Sequence, residues 1–463
     1  MPVSPNPANV TPPDYSTGQP PNRSKPTGNL RWVMAGLLCV ATTINYIDRS
    51  VLSFTMLDET FRKQMLGIAL SQPLTPADVQ QFKIQMGLVD SAFKWAYALG
   101  FILFGWLIDR IGTRRGFSLS ILVWSLAGIA VAMVRSVGGL AVARFSLGLG
   151  ESGNYPAGIK SVAEWFPRRE RALATGIFNS GANIGIITTA VVVPWLTVQY
   201  GWRSAFVTTG ALGLVLLVLW QLYYRHPGEH PGLSDDERAY LNSDRDEKPD
   251  GEKKLSWLTL MRYRQTWAFV TGKVFSDPIW WFYLTWLPDF FNSNASFTQK
   301  LDLKTVGIPF LIIYIVSDMG NIVFGWLSSY WLGRGWTLNQ ARKTTMLICA
   351  LCVLPVFFAS VTADFRVAVG LIALATAAHQ GFSITNFTII SDVFPRQAVA
   401  SVVGIGGFFG AITGGLFAAL SGWVIARVGY VPLFVFVSTG YLTALIIIHL
   451  LIPRMNRINP VTL

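Results

Sequence analysis

Charged residues are scarce in this chain, since Asp, Glu, Lys and Arg make up only 13% of its 463 residues. Soluble domains carry about a quarter of their residues as charges, so this composition excludes an ordinary soluble domain. The alternating segments of about ten residues that build a membrane β-barrel are also missing. Cysteine is rare: Cys39, Cys349 and Cys352 all lie in apolar segments, and their spacing fits neither a disulfide framework nor a metal site.

The usual motifs of catalysis are missing as well. The sequence holds no cluster of metal-ligand residues, no Gly-x-x-x-x-Gly-Lys phosphate loop and no recognisable pair of nucleophile and base. We therefore predict that the protein is not an enzyme and needs neither cofactor nor metal.

Long apolar runs are abundant. Hydrophobic residues make up 52% of the chain, with 17 Trp and 30 Phe, and the mean hydropathy is +0.43. Many runs reach the roughly 20 residues that a helix needs to cross a bilayer. The net charge of +12 does not indicate a nucleic-acid partner, because Lys and Arg concentrate in short connections between these runs. Such basic loops are typical of the cytoplasmic side of membrane proteins.

The apolar segments predict twelve transmembrane helices. They cover residues 32–56, 87–108, 116–135, 139–163, 172–196, 203–224, 266–291, 306–331, 343–361, 365–392, 401–427 and 431–452. Basic residues flank the first helix and the last and fill the loop 109–115, which places both termini in the cytoplasm. The segment 57–85 is then a long periplasmic loop.

Composition divides the chain into five parts. Residues 1–30, rich in Pro, Asn, Ser and Thr, are expected to form a disordered cytoplasmic tail. Residues 31–224 and 265–453 each hold six of the predicted helices. The polar stretch 225–264 is predicted to join them as a cytoplasmic linker with no useful apolar face, and 454–463 form a second cytoplasmic tail.

The two halves repeat. Glu164-Trp-Phe-Pro-Arg follows the fourth segment, and Asp392-Val-Phe-Pro-Arg follows the tenth. At the same offset Gly153 aligns with Gly381. Two parallel six-helix halves with a site between them are the plan of one large fold of secondary transporters.

The first segment carries charges at membrane depth, in Asn45-Tyr-Ile-Asp48-Arg49. Ionisable groups there are costly unless they are paired or line a water-filled cavity, so they indicate a functional site. We hypothesise that Asp48 carries a proton and that Arg49 holds an anion. Tyr46 shares a helix face with Arg49, three residues away. A buried structural ion pair to another helix is the alternative.

The fourth segment adds a second acid and a second arginine, in Arg144-Phe-Ser-Leu-Gly-Leu-Gly-Glu151. Seven residues separate these two charges, so they lie on one helix face about 10 Å apart. Asn154 continues the polar stripe, and Pro156 can loosen the helix. Each acid would hold an arginine when ionised and free it when protonated. A permanently ionised network around Glu151 is the alternative.

The loop after the second segment reads Gly105-Trp-Leu-Ile-Asp109-Arg110-Ile-Gly112-Thr-Arg114. Its glycines permit a tight turn and close helix approach. Asp109 can pair with basic groups at neighbouring helix ends. This loop resembles the signature of the major facilitator superfamily, although a topology signal of basic residues also accounts for its charges.

The motifs of the first and fourth segments resemble those of the anion:cation symporter family in that superfamily. The resemblance implies an all-α membrane protein with twelve transmembrane helices in two pseudo-symmetric six-helix bundles. It implies that Asp48 and Glu151 couple protons, that Tyr46 and Arg49 contact the substrate, and that Arg144 pairs with the acids.

Two longer stretches resemble the bacterial hexuronate branch of the family. They run from Gly150 to Pro167 and from Gly272 to Tyr283. Where the aldonate branch tends to carry Trp and Asn, this chain has Phe387 and Gly407, which favours hexuronate over galactonate.

Further polar and aromatic residues are candidate substrate contacts: Lys94, Asn154, Lys273, Trp281, His379, Gln380 and Asn386. Asp277, four residues after Lys273, can pair with it on one helix face, and Pro278 should break or kink that helix. His379 is the repeat partner of Glu151. The alternatives are that Lys94 pairs with Asp90, that Lys273 extends to the cytoplasmic surface, and that His379 is structural.

These observations together predict a monomeric, proton-coupled importer of a sugar-acid monoanion, most readily glucuronate or galacturonate, in a bacterial inner membrane. Its partners are then the anion, protons and the bilayer. A symporter of aldonates or other organic anions and an uncoupled anion exchanger remain alternatives. A sensor that binds without transporting is disfavoured, because the chain offers no output domain.

Overall fold

The computed structural model describes residues 29–242, 257–394, 396–456 and 458. Throughout this part of the chain the secondary structure is helical, which confirms the predicted all-α class. The predicted N-terminal tail up to residue 28, the middle of the predicted linker and the last residues of the C-terminal tail lie outside the described residues.

The α-helices are numbered in chain order. They are α1 Leu30–Thr55, α2 Glu59–Leu66, α3 Pro76–Ile111, α4 Thr113–Val131, α5 Val137–Glu151, α6 Asn154–Trp165, α7 Arg168–Tyr200, α8 Trp202–Tyr223, α9 Asp235–Asn242, α10 Trp257–Leu260, α11 Arg264–Ser293, α12 Gly307–Gly333, α13 Leu338–Val353, α14 Phe365–Val393, α15 Arg396–Arg427 and α16 Val431–Leu451. A 3₁₀ helix, Leu354–Ser360, extends α13. Among the described residues, ten helical segments are long and apolar enough to cross a membrane, so this is a multi-pass membrane protein.

Two predicted segments are not among these ten. The fourth segment is divided between α5 and α6, each too short alone, and the seventh corresponds to α11, which is long enough but more polar. Both nevertheless fold as helices at the predicted places.

The prediction that residues 57–85 form one long loop is wrong. This stretch contains α2, and α3 begins at Pro76, well before the apolar run. The Thr75 side chain accepts from the backbone nitrogen of Asp78, and the Asp78 carboxylate accepts from that of Thr75. This capping box, with proline at the first helical position, starts a helix in polar sequence, where hydropathy gives no signal.

The fourth segment breaks at Ser152 and Gly153, between α5 and α6. The freed carbonyls find side-chain donors: Ser120 donates to the Gly150 oxygen at 2.7 Å, and Asn45 donates to the Glu151 oxygen at 3.4 Å. Such irregular backbone is tolerated in a membrane where protein groups satisfy it.

Proline has little effect in two places where it was expected to disturb a helix. Pro156 falls in the first turn of α6, where its missing N–H would have no partner in any case. A break or a kink was predicted at Pro278, and the structure shows no break, because α11 runs through this residue. The helix packs against α14, α15 and α16.

The first part of the linker has buried apolar residues, although no useful apolar face was predicted there. It contains α9, whose Leu241 is buried together with the preceding Leu233. Arg31, at the start of α1, pairs with Glu237 of α9 at 3.2 Å and with Glu170 of α7 at 2.8 Å. These contacts attach the first part of the linker to the helices that precede it.

The helices before the linker (the first-half helices, α1–α8) and those after it (the second-half helices, α11–α16) meet where α3 packs on α15, α7 on α12 and α1 on α11. We call the end of the molecule where α1 ends and α3 begins the α2 end, and the opposite end the Asp109 end. One close approach of backbones lies towards the α2 end: a Cβ on Gly87 would be 2.9 Å from the Gly422 Cα. Only glycine permits backbones to come this close.

We expect Gly150→Ala to lower thermal stability, because the added Cβ would lie 2.6 Å from the backbone nitrogen of Trp124. Overpacking of this kind costs about 1–3 kcal/mol. The measurement is thermal unfolding of detergent-purified protein. Gly36→Ala is the matched control, since nothing lies within 4 Å of its added Cβ. Equal melting temperatures for the two variants would contradict the close packing of α5 on α4.

Candidate functional site

Arg49, on α1, is the centre of a cluster of charges and aromatic rings. Its Nε donates to Oε2 of Glu151 at 2.9 Å. Its Cζ lies 4.6 Å from the ring centre of Tyr46 and 4.8 Å from that of Tyr97. Trp281, from the second-half helix α11, approaches the same guanidinium at 5.7 Å. The site is therefore assembled from both sets of helices.

Glu151 is completely buried at the end of α5, directly before the helix break. One of its carboxylate oxygens bonds to Arg49, and the other has no hydrogen-bond partner in the described structure. Asn45 steadies the arrangement, because it accepts from Arg49 at 3.3 Å and donates to the backbone oxygen of Glu151. The break thus positions the acid beside α1.

Arg144, predicted to pair with the acids, is buried but bonds elsewhere. Both terminal nitrogens donate to the backbone oxygen of Arg49 at 3.4 Å, and the guanidinium lies 4.4 Å from the Phe93 ring centre. No ion pair within 4.0 Å joins Arg144 to Asp48 or Glu151 in the described chain, and its Nε has no partner there. The four predicted charges are therefore neighbours, but they form one direct ion pair in this conformation.

Asp48 is 2% exposed, and neither carboxylate oxygen has a hydrogen-bond partner within 3.5 Å in the described part of the chain, although the Thr209 side chain on α8 lies close enough to interact with the carboxylate. It lies against α4 and α8: Oδ1 is 3.7 Å from the position that a Cβ on Gly128 would take, and the Gly210 Cα is equally close to that position. A carboxylate buried without an ion pair and with so little hydrogen bonding is costly to ionise. This geometry favours a proton on Asp48.

Lys94 is held within its own helix. Its Nζ lies 2.5 Å from Oδ2 of Asp90, one helical turn earlier, and both residues are buried. The same oxygen accepts from the Thr285 hydroxyl of α11 at 3.0 Å. Lys94 therefore pairs with Asp90, which was the alternative to a role as a substrate contact.

The second-half candidates are mostly engaged with one another. Lys273 and Asp277 form the expected pair on α11, at 2.7 Å. His379 shares a hydrogen bond with the Tyr441 hydroxyl at 2.5 Å and stacks on Trp280 at 4.9 Å. Asn386 donates to the backbone oxygen of Phe269, between α14 and α11. Gln380 is half-buried on α14.

Asn154 and the residues of the signature loop hold first-half helices together. The Asn154 side chain donates to the hydroxyl of Thr42 at 3.2 Å, joining α6 to α1. At the Asp109 end, Asp109 pairs with Lys160 of α6 at 2.9 Å, as a basic group at a neighbouring helix end was expected to do. Gly112 forms the turn of this loop with a φ of 84°. Arg110 lies 5.3 Å from the ring centre of Trp106, and Arg114 donates a hydrogen bond to the backbone oxygen of Gln221.

A second charged cluster, at the α2 end, was not predicted. Asp289 of α11 accepts from Lys83 at 2.8 Å, from Arg62 at 3.4 Å and from the Tyr430 hydroxyl at 2.5 Å. Lys83 also donates to Ser293. The two cations belong to first-half elements and the acid to a second-half helix, so the cluster ties the two sets together. An acid inside the predicted seventh segment was the signal that would have found it.

Comparison with known proteins supports this description. The family model described as Major Facilitator Superfamily matches residues 38–418. The hexuronate transporter of Escherichia coli (strain K12) is 29% identical over 410 residues, which are 88% of this chain and 90% of that protein. The probable galactarate/D-glucarate transporter of the same strain is 28% identical over 434 residues, 90% of this chain and 93% of that protein.

Among solved structures, a bacterial homologue of the human lysosomal transporter Spinster matches with a TM-score of 0.65 and 18% identity, over 92% of this chain and 96% of that one. At this identity the likeness shows the fold alone. Both curated relatives, the hexuronate and the galactarate/D-glucarate transporter, are transporters, which confirms that the chain is not an enzyme. Because the family model covers most of its length, the chain belongs to the Major Facilitator Superfamily.

Proposed function

We propose that this protein is a proton-coupled symporter that imports a sugar-acid monoanion, of the hexuronate type, across a bacterial inner membrane. The observation that carries the proposal is Arg49, paired with the buried Glu151 inside an aromatic cage that both sets of helices build. The names of the hexuronate and galactarate/D-glucarate relatives support the substrate class.

The substrate anion would replace Glu151 as the partner of Arg49. Arg49 is held by Glu151, so a substrate carboxylate reaches the guanidinium when a proton neutralises that acid. Arginine suits this role, because its planar fork binds carboxylates through two parallel hydrogen bonds. Tyr46 and Trp281 flank the same guanidinium and offer the sugar a phenol hydroxyl and an aromatic face.

Asp48 would supply the second proton site. It is buried beside α4 and α8 and forms no ion pair in the described structure, an environment in which the neutral acid costs least. If both acids protonate for each anion, net positive charge enters the cell. The membrane potential then drives uptake with about 2.3 kcal/mol per charge for each 100 mV.

Transport would proceed by alternating access of two six-helix bundles, α1–α8 and α11–α16, with α5 and α6 together forming the fourth of twelve spans. In this proposal the α2 end faces the periplasm and both termini lie in the cytoplasm. The Asp289 cluster and the close contact of Gly87 with Gly422 support a conformation closed at the α2 end. The protein would act as a monomer.

Asp48→Asn is expected to abolish uphill, proton-driven uptake of glucuronate in proteoliposomes while retaining exchange of labelled for unlabelled substrate. Asparagine keeps the shape of the side chain but carries no titratable proton. Asp302→Asn, outside the membrane helices, is the control and should accumulate substrate normally. Proton-driven accumulation by Asp48→Asn would show that the coupling role is wrong. Wild-type protein that exchanges but never accumulates would indicate an uncoupled exchanger.

Arg49→Lys is expected to raise the KM for uptake by about tenfold or more, which corresponds to ~1.4 kcal/mol or more of lost binding. Lysine keeps the charge but cannot offer the planar fork. Initial rates of glucuronate uptake measure the change, and Arg366→Lys at an exposed position of α14 is the matched control. A KM within twofold of the wild-type value would exclude a two-pronged contact with the substrate.

Asp289→Asn is expected to open the α2 end more often, because Arg62 and Lys83 lose their shared counter-charge. In a background without the native cysteines, Ser53→Cys would react faster with a membrane-impermeant thiol reagent added from the periplasmic side. Glu59→Gln removes an exposed acid at the same end and serves as the control. An unchanged labelling rate in Asp289→Asn would contradict the locking role of the cluster.

A further inference from the structure

The ion pair of Lys273 and Asp277 on α11 has no part in the proposed binding step, yet one oxygen of its carboxylate is free. Oδ1 of Asp277 pairs with Lys273 at 2.7 Å and accepts from the Ser276 hydroxyl at 3.4 Å. Oδ2 accepts no hydrogen bond in the part of the chain that the structure describes. The side chain of Asp277 is 18% exposed and that of Lys273 14%, so the pair is not sealed inside the protein.

The pair lies between α14 and α15. The Lys273 Nζ is 5.0 Å from the ring centre of Phe387 on α14. On α15, a Cβ added at Gly410 would clash with Oδ2 of Asp277, so glycine leaves room for the carboxylate. One turn away, nothing lies within 4 Å of a Cβ added at Gly407. Ionisable groups at membrane depth face the interior of the bundle or a water-filled cavity, so we take the exposed side of the pair to face such a cavity.

The pair shares a face of α11 with Trp281, which approaches Arg49. Asp277 lies four residues before Trp281, and Lys273 four residues before Asp277, so successive members are about 6 Å apart along the helix axis. Helix α11 ends at the α2 end, where it carries Asp289. The stripe of three side chains therefore runs from Arg49 towards the Asp109 end.

A sugar held by Arg49 has room in the same direction. Towards the α2 end, the space beside Arg49 narrows to a cavity of about 10 Å³, and the backbones of α3 and α15 meet beyond it. Towards the Asp109 end, nothing lies within 4 Å of a Cβ added at Gly105 on α3 or at Gly325 on α12. A carboxylate on Arg49 thus directs the rest of the sugar along Trp281 towards Asp277.

We propose that Asp277 binds the sugar hydroxyl that lies opposite the substrate carboxylate. In the ring form of a hexuronate the carboxylate is attached to C5, and the ring atom opposite C5 is C2. The C2 hydroxyl would donate to the free Oδ2, at a distance from Arg49 that a sugar ring spans. Lys273 is a positioning residue: it holds Oδ1 and keeps the pair neutral beside an anionic substrate. This inference rests on the proposed function and adds a second contact to it.

The test compares glucuronate with 2-deoxyglucuronate, which lacks only the C2 hydroxyl. Competition against labelled glucuronate is measured on the purified full-length protein. The wild type is expected to bind 2-deoxyglucuronate about tenfold more weakly than glucuronate, because a hydrogen bond to a charged group is lost. Asp277→Asn keeps the shape of the side chain and should reduce that ratio by about threefold, through weaker glucuronate binding, since a neutral acceptor binds a hydroxyl less strongly.

Replacing the whole pair, by Lys273→Met together with Asp277→Leu, leaves no unpaired charge behind. This double variant should bind the two acids equally well. Glu59→Gln together with Lys63→Gln is the matched control, because it removes another pair spaced four residues apart, on α2, and it should keep the wild-type ratio. Weaker binding of both acids by the same factor in either Asp277 variant would show a purely structural role and overturn the inference.

Asp277→Asn and the wild type decide the matter even if the double variant fails to fold. Equal binding of the two acids by the wild type, or a ratio that Asp277→Asn leaves unchanged, would overturn the role of Asp277. Wild-type protein that binds neither acid would show that the proposed substrate class itself is wrong. A wild type that binds glucuronate without regard to the C2 hydroxyl contradicts only the inference about Asp277.

Discussion

Charges inside a bilayer need a counter-charge or hydrogen-bond partners, and this requirement organises the interior of the protein. Arg49 has Glu151, Lys94 has Asp90, Lys273 has Asp277, and Asp289 has two cations. The pairs of Arg49 and of Asp289 join different helices, whereas those of Lys94 and Lys273 form within one helix. Asp48 has no counter-charge in the described structure, and neither of its oxygens accepts a hydrogen bond within 3.5 Å there. An acid in these surroundings is best suited to exist in its neutral form.

Backbone carbonyls inside the bilayer also need hydrogen-bond partners. Where the fourth segment breaks, the carbonyls released from the helix accept from Ser120 and Asn45, on α4 and α1. The break is therefore also a junction between three helices, and Glu151 lies directly at it. Polar satisfaction of the backbone and placement of the acid beside Arg49 are thus achieved by one local departure from helical geometry.

How far the sequence predicts this structure depends on whether a feature is local. The charges of α1 and α5 can be recognised from the sequence alone, because an ionisable residue within an apolar run is conspicuous whatever its neighbours are in the fold. The pair of Lys273 with Asp277 follows from helical spacing alone. The orientation of Arg144 towards a backbone oxygen depends on the rotation and tilt of two packed helices, which no periodicity reports. The start of α3 at Pro76 depends on a capping box in polar sequence, which hydropathy does not detect.

The cluster around Asp289 has a consequence for how the protein responds to its medium. Dissolved ions largely screen attractions between exposed charges that lie more than about 8–10 Å apart at ordinary salt concentrations, and they screen buried pairs much less. The Asp289 side chain is 4% exposed, and those of Lys83 and Arg62 are 11% and 13% exposed. The strength of this cluster is therefore set by the protein itself and should stay nearly constant from dilute to saline surroundings.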